Sequence, residues 1–338
     1  MFGLFSATIS VFPNTFYDPI TTPKLIIMAI ALTVCSLFLI GESNFTYSKT
    51  DLQFHGLILL FLILSLLVLG VNHGTFSEKL FGIRGIASGF LFFLLLGLIS
   101  IIASFKNMTS IFLKTLVLTS LIVSTVFILQ SNNLVVFELQ TFYSIPSSTL
   151  GNPNFVSTFV ALASIGVLGL MHVRNIGKMI FASISLMLNV YVIVQCRSLQ
   201  GVLVFIIGLI TFLYLEIQRN HFTSKKKSFI RIGIISVLIL ALVIFRRNLI
   251  IMFMESSSYS RLDYWRASLR MISERPIFGF GFDSFGDNHL RYRDLAAVNR
   301  FGPGQTSESP HNIVVEMFVS GGLLLGLSYI FVLFSPFS

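Results

Sequence analysis

Three side chains in this sequence are out of place in so apolar a chain: Arg197, Arg261 and His311. Arg197 sits in Gln195-Cys196-Arg197-Ser198-Leu199-Gln200-Gly201, squeezed between two apolar runs, where a cation is costly unless it is paired or wet. Arg261 opens an amphipathic segment, Ser260-Arg261-Leu262-Asp263. A cation in a first helical turn opposes the helix dipole, but beside free backbone N–H groups it makes an anion site. His311 lies in Pro310-His311-Asn312, just ahead of the last apolar run. Imidazole is the side chain best able to exchange a proton near neutral pH. Arg84 and the stretch Gly151-Asn152-Pro153-Asn154 add two further polar places. The chemistry on offer is anion binding by guanidinium groups together with proton exchange by a histidine.

The elements that must position these residues are membrane helices. The chain has 338 residues, 54% hydrophobic and 11% charged, against roughly 25% charged in an average soluble domain. Mean hydropathy is +0.87. These values exclude a soluble globular enzyme, a disordered chain and a disulfide-stapled module. Apolar runs reach about 20 residues, the length that crosses a bilayer as helix. They do not alternate as barrel strands would. Nine spans are expected, near 25–41, 55–71, 85–104, 111–129, 154–171, 178–195, 201–217, 232–246 and 313–332. Residues 1–12 are apolar but too short to span, and the first basic residue is Lys24, so no cleaved signal is expected.

Short-loop Lys and Arg set the orientation. Loop 218–231 carries Arg219, Lys225, Lys226, Lys227 and Arg231, and loop 172–178 carries Arg174 and Lys178, whereas 131–153 carries none. The first two are therefore expected inside and the third outside, which puts the N-terminus outside and the C-terminus inside. All five chemistry-bearing places then fall on the external face. The net charge of +9 fits anionic lipid and helix orientation rather than nucleic acid. Cys35 and Cys196 have no paired spacing for a disulfide or a zinc site.

The expected organisation is a transmembrane bundle over 1–246, an external loop over 247–312, and a final spanning helix with the C-terminus over 313–338. The loop holds eight of the 23 basic residues and seven of the 14 acidic ones. Charge this dense reads as a partly helical cap. Ser260 and Asp263 have capping-box spacing. Leu262, Trp265, Leu269 and Ile272 recur at helical spacing, as an apolar face for the membrane or bundle. Asp263, Arg266, Arg270 and Glu274 line another face, and Pro276 stops the helix. Gly279-Phe280-Gly281 with Gly286 fits no phosphate-loop spacing and reads as a tight turn.

In their order these residues resemble the superfamily of O-antigen ligases and Wzy-type polymerases. The strongest stretch is SRLDYWRASLRMISERPIFGFGFDSFG (260–286), followed by Pro310-His311-Asn312, Glu316 and Gly321-Gly322. Gly151-Asn152-Pro153-Asn154 is similar to the family's G-N-P-N element, and Arg197-Ser198 to its S-R-G element with the first two residues exchanged. The resemblance covers about 150–330. It implies an all-α polytopic membrane protein with a GT-C-like helical bundle. The enzyme would take a glycan from undecaprenyl pyrophosphate at the periplasmic face of the bacterial inner membrane. The acceptor would be a hydroxyl of another glycan, of lipid A core or of a protein. No metal, cofactor, nucleotide sugar or nucleic acid is implied. The resemblance assigns catalysis to His311, Arg261 and Arg197, and on the same reading Arg84, Asn152, Asn154, Arg266 and Asn312 bind substrate. Displacement with a histidine base would invert the anomeric centre.

Two other functions are weighed beside this one. A transporter of a small anion such as inorganic carbon would use Arg84 and Arg197, but it should place ionisable groups near the midplane; Lys114 lies near the end of its span instead. An inactive or truncated paralogue is the other. It is weighed because relatives usually carry further spanning helices after the one that follows His311.

Overall fold

The computed structural model describes residues 2–12, 19–40, 49–72, 74–82, 89–104, 109–134, 144–170, 176–219, 258–304 and 306–335. All regular structure among them is helical: α1 (Phe2–Ile9), α2 (Thr21–Ile40), α3 (Lys49–Val71), α4 (Phe76–Phe81), α5 (Phe90–Ser104), α6 (Thr109–Ser131), α7 (Pro153–Leu170), α8 (Ile176–Gln195), α9 (Leu199–Arg219), α10 (Ser258–Glu274), α11 (Phe285–Tyr292), α12 (Leu295–Phe301) and α13 (Ile313–Phe334). Helices overlie every expected span except 232–246, which lies outside the described residues, as do Arg84 and Lys225–Lys227. Among the described residues, four segments are long and apolar enough to cross a membrane: Asp51–Val71, Ile111–Ser131, Leu199–Gln218 and Ile313–Phe334.

The chain divides into two compact units. The first comprises Met1–Lys24 and Met108–Ser256. There α7 packs against α6, α8 and α9. Its core is built from Val123, Phe127, Val156, Val160, Val192 and their neighbours. Small residues let the helices approach closely, as membrane helix pairs do: a Cβ at Gly201 would overlap Ser157, and one at Gly208 would press on Ile165. Polar bonds cross the same core. Ser124 donates to Asn189 Oδ1 at 2.9 Å, and Asn189 donates on to Ser120 Oγ at 3.2 Å. In lipid such bonds satisfy groups that would otherwise be stranded.

The second unit comprises Leu25–Asn107 and Ser257–Ser338. In it α3 packs on α5 and α13, and α10 and α11 pack on α13. Ile58, Phe61, Phe93, Phe282, Met317 and Leu325 form one buried cluster. Ala267, Met271, Phe280, Phe285 and Val319 form another.

The last helix is broken. Gly321 and Gly322 leave helical geometry, Gly322 at φ 61° and ψ −154°, a region open in practice to glycine alone. A break inside a spanning helix strands backbone groups that lipid cannot satisfy. Here the turn after α10 takes them up. Phe280 N–H donates to Val319 O at 2.9 Å, Gly281 N–H to Ser320 O at 2.8 Å, and Leu323 N–H to Pro276 O at 2.7 Å. Asn72, at the end of α3, fixes the same turn by donating from Nδ2 to Phe278 O at 3.0 Å.

This geometry makes a sharp prediction. A Cβ at Gly322 would overlap the backbone of Pro276 and Ile277, whereas one at Gly70 in α3 meets nothing within 4 Å. Gly322→Ala is expected to cost at least about 2–3 kcal/mol, and Gly70→Ala to be neutral or stabilising. Thermal unfolding of the two variants in detergent compares them. Equal midpoints would remove the constraint at the break.

One expectation for the loop needs correction. Ser260 is not a cap, because α10 already begins at Ser258; among the described residues a reciprocal capping box instead joins Thr75 and Glu78 at the start of α4. The face of α10 that packs is Asp263, Tyr264, Ala267, Ser268 and Met271, while Leu262 and Leu269 are exposed. Asp263 tolerates burial because Arg300 donates to both of its oxygens at 2.7 and 2.8 Å.

Candidate functional site

The second unit brings Arg261 and His311 together. Arg261 projects from the first turns of α10. His311 immediately precedes the cap of α13, and it is held in the left-handed region at φ 53°, uncommon for a residue with a Cβ and most frequent where geometry serves a purpose. The surrounding contacts fix it there. Trp265 donates from Nε1 to Pro310 O at 3.0 Å, tying the loop to α10. Ser309 Oγ accepts from His311 N–H at 3.3 Å. Asn312 Oδ1 accepts from Val314 N–H and Val315 N–H, closing the helix end as an N-cap should. The Tyr264 ring lies 5.8 Å from that of His311.

The electrostatics suit a base. Burial, and then the Arg261 charge, hold the His311 pKa below the usual histidine value, so the imidazole is neutral at neutral pH. The Arg261 Nε is buried and has no hydrogen-bond partner among the described residues. A cation left under-satisfied next to a neutral imidazole is ready to receive an anion. Glu316 is buried in α13, with Oε1 accepting from Ser320 Oγ at 3.4 Å and Oε2 without a partner among the described residues.

Arg266, expected to bind substrate, is largely exposed and pairs with Asp263 at 3.6 Å. Arg197, Asn152 and Asn154 belong to the first unit. Arg197 occupies the turn between α8 and α9, exposed, at φ 49°. Directly after it Ser198 is buried, and its Oγ, like that of Ser157, has no partner among the described residues. Asn152 Oδ1 accepts from Asn154 N–H at 2.8 Å, so with Pro153 at the first helical position it starts α7.

Sequence reading missed His289. It is fully buried in α11, stacked on Phe285 at 5.0 Å and edge-on to Tyr264 at 5.2 Å. Its one signal was to be the second histidine of the charged loop. Burial, with the Arg293 charge adding to it and Asp263 opposing, pushes its pKa down to about 4 from 6.5. Through that window the unfolded chain binds a proton that the folded chain refuses. Stability therefore falls as pH drops from 6.5 towards 4, by up to ~3 kcal/mol for a shift of this size. Thermal unfolding on both sides of the window should show the slope, and His289→Asn should reduce it. An unchanged slope would clear His289.

A family model described as O-antigen ligase matches residues 182–330. That stretch is similar to the O-antigen ligase family. The match takes in Arg197, Arg261, His311 and Asn312, and leaves Arg84, Asn152 and Asn154 outside it. It supports a membrane protein of ligase or polymerase type, a glycosyltransferase-like enzyme acting on lipid-linked glycans and their acceptors. No curated protein and no solved structure matches the chain.

Proposed function

We propose that the protein moves a glycan from undecaprenyl pyrophosphate to an acceptor hydroxyl at the periplasmic face of a bacterial inner membrane, without a metal ion. The observation that carries this reading is the pairing of Arg261, with its unpartnered Nε, and a His311 whose pKa is held low. His311 takes the proton of the acceptor hydroxyl as its oxygen attacks the anomeric carbon. The bond from that carbon to the pyrophosphate oxygen breaks, and the electron pair leaves with the pyrophosphate. Arg261 and Arg197 stabilise the charge that gathers there through forked hydrogen bonds. One displacement inverts the anomeric centre. Arg84, Asn152, Asn154, Arg266 and Asn312 are proposed to hold donor or acceptor.

A transport function would also use an interrupted helix, with freed backbone groups facing a solute. The freed groups at Gly321–Gly322 are instead taken by Phe280, Gly281 and Pro276, which favours the enzyme. The test is the purified full-length chain mixed with an undecaprenyl-pyrophosphate-linked oligosaccharide and an acceptor glycan, with no nucleotide sugar. Release of undecaprenyl pyrophosphate with a lengthened acceptor is expected. Solute uptake into proteoliposomes lacking lipid-linked glycan, with no transfer, would replace the reading.

A further inference from the structure

The reading of His311 as a base leaves open which ring nitrogen carries its proton and what sets that choice. A neutral imidazole donates from one nitrogen and accepts at the other, and the partners decide which. Ser307 is the partner that decides. Its hydroxyl donates to Ser309 O at 2.8 Å. A hydroxyl has one proton, so toward His311 Nε2, at 3.4 Å, Ser307 Oγ is an acceptor. The His311 proton then sits on Nε2, and the basic lone pair is on Nδ1.

Ser307 is itself held by His289. The Ser307 main-chain N–H can only donate, and it donates to His289 Nδ1 at 3.3 Å. Thr306 Oγ1 stands 3.4 Å from the same nitrogen. His289 therefore carries its proton on Nε2, which is buried and has no partner among the described residues. A side chain needed only to fill space between Phe285 and Tyr264 would be apolar and would avoid this stranded donor. What an imidazole supplies here and an apolar group does not is the acceptor for Ser307.

We propose that His289 is a positioning residue: it anchors Ser307, and Ser307 fixes the ring orientation and tautomer of His311, leaving Nδ1 as the base. The inference rests on the glycan-transfer reading for its consequence, and its structural link can be read without any substrate.

Histidine-selective 15N spectra of the full-length chain in nanodiscs report the tautomer, with the His311 signal assigned by its loss in His311→Ala. The wild-type signal should be that of the Nε2–H form. His289→Leu should mix the two tautomers, and His289→Asn, which keeps an acceptor near the Nδ1 position, should restore the wild-type pattern. Ser307→Ala should also mix them with His289 in place. In the transfer assay His289→Leu should lower kcat by up to about 100-fold with little change in KM, and His289→Asn should recover most of it. A folded His289→Leu with an unchanged His311 signal overturns the proposal. Should that variant fail to fold, an unchanged signal in Ser307→Ala overturns it equally. A lost tautomer with full transfer in His289→Leu, while His311→Ala is dead, removes the positioning role. Full transfer in His311→Ala itself would instead sink the base and leave the His289–Ser307 link standing.

Discussion

His311→Ala is expected to reduce kcat for glycan transfer by about 10²–10⁴-fold, the contribution of a positioned general base. The residue stands at the mouth of α13 with a backbone of φ 53° and its ring beside Tyr264, so truncation removes the proton acceptor without emptying a core. Asn312 still caps the helix and Trp265 still holds Pro310 O. Donor binding should change little. In the wild type only the neutral imidazole works, and burial and Arg261 hold its pKa below 6.5. The rate should therefore rise with pH through an acid limb below that value and be level near neutrality. Steady-state transfer as a function of pH measures both. Retention of wild-type kcat in His311→Ala ends its role as base.

Arg261→Ala is expected to lower kcat/KM by about 10²–10³-fold, as loss of a donor to a developing oxyanion does. Arg261→Lys should recover only part, because an ammonium is a point charge without the guanidinium fork. A second consequence follows from geometry. The Arg261 charge is one of the two influences that lower the His311 pKa, so removing it should move the acid limb of the pH profile upward. A purely structural arginine would weaken folding and leave that limb where it was. Rates near wild type with an unmoved limb would take Arg261 out of the chemistry.

The all-helical character was legible because apolar runs of the right length leave the backbone one economical solution in lipid. The same logic did not choose the packed side of α10. Leu262, Trp265, Leu269 and Ile272 form its apolar stripe, yet Asp263, Ala267, Ser268 and Met271 are the buried side. In water the apolar stripe must go inside. In a membrane protein it need not, and Asp263 can be buried because Arg300, distant in sequence, neutralises it. Arg261 and His311 stood out through their place in the ordered set that resembles the O-antigen ligases, Arg261 also as a cation in a first helical turn. His289 did not, since its significance lies in a bond to the Ser307 backbone that no periodicity encodes. Nor did Asn72, whose partner Phe278 is far along the chain. Gly321-Gly322 was noticed as part of a motif, but the break it makes depends on a turn more than 40 residues earlier being there to fill it.

That splice has a bearing on biosynthesis. Residues 276–281 lend their amides and carbonyl to a helix synthesised after them, and the helix in turn supplies Val319 and Ser320 oxygens they have no other described use for. Neither partner is whole by itself. While the chain is emerging, the segment carrying Arg261 waits with unsatisfied amides until the helix behind His311 has entered the bilayer. The proposed pairing of Arg261 with His311 therefore cannot be complete until Ile313–Phe334 has been made.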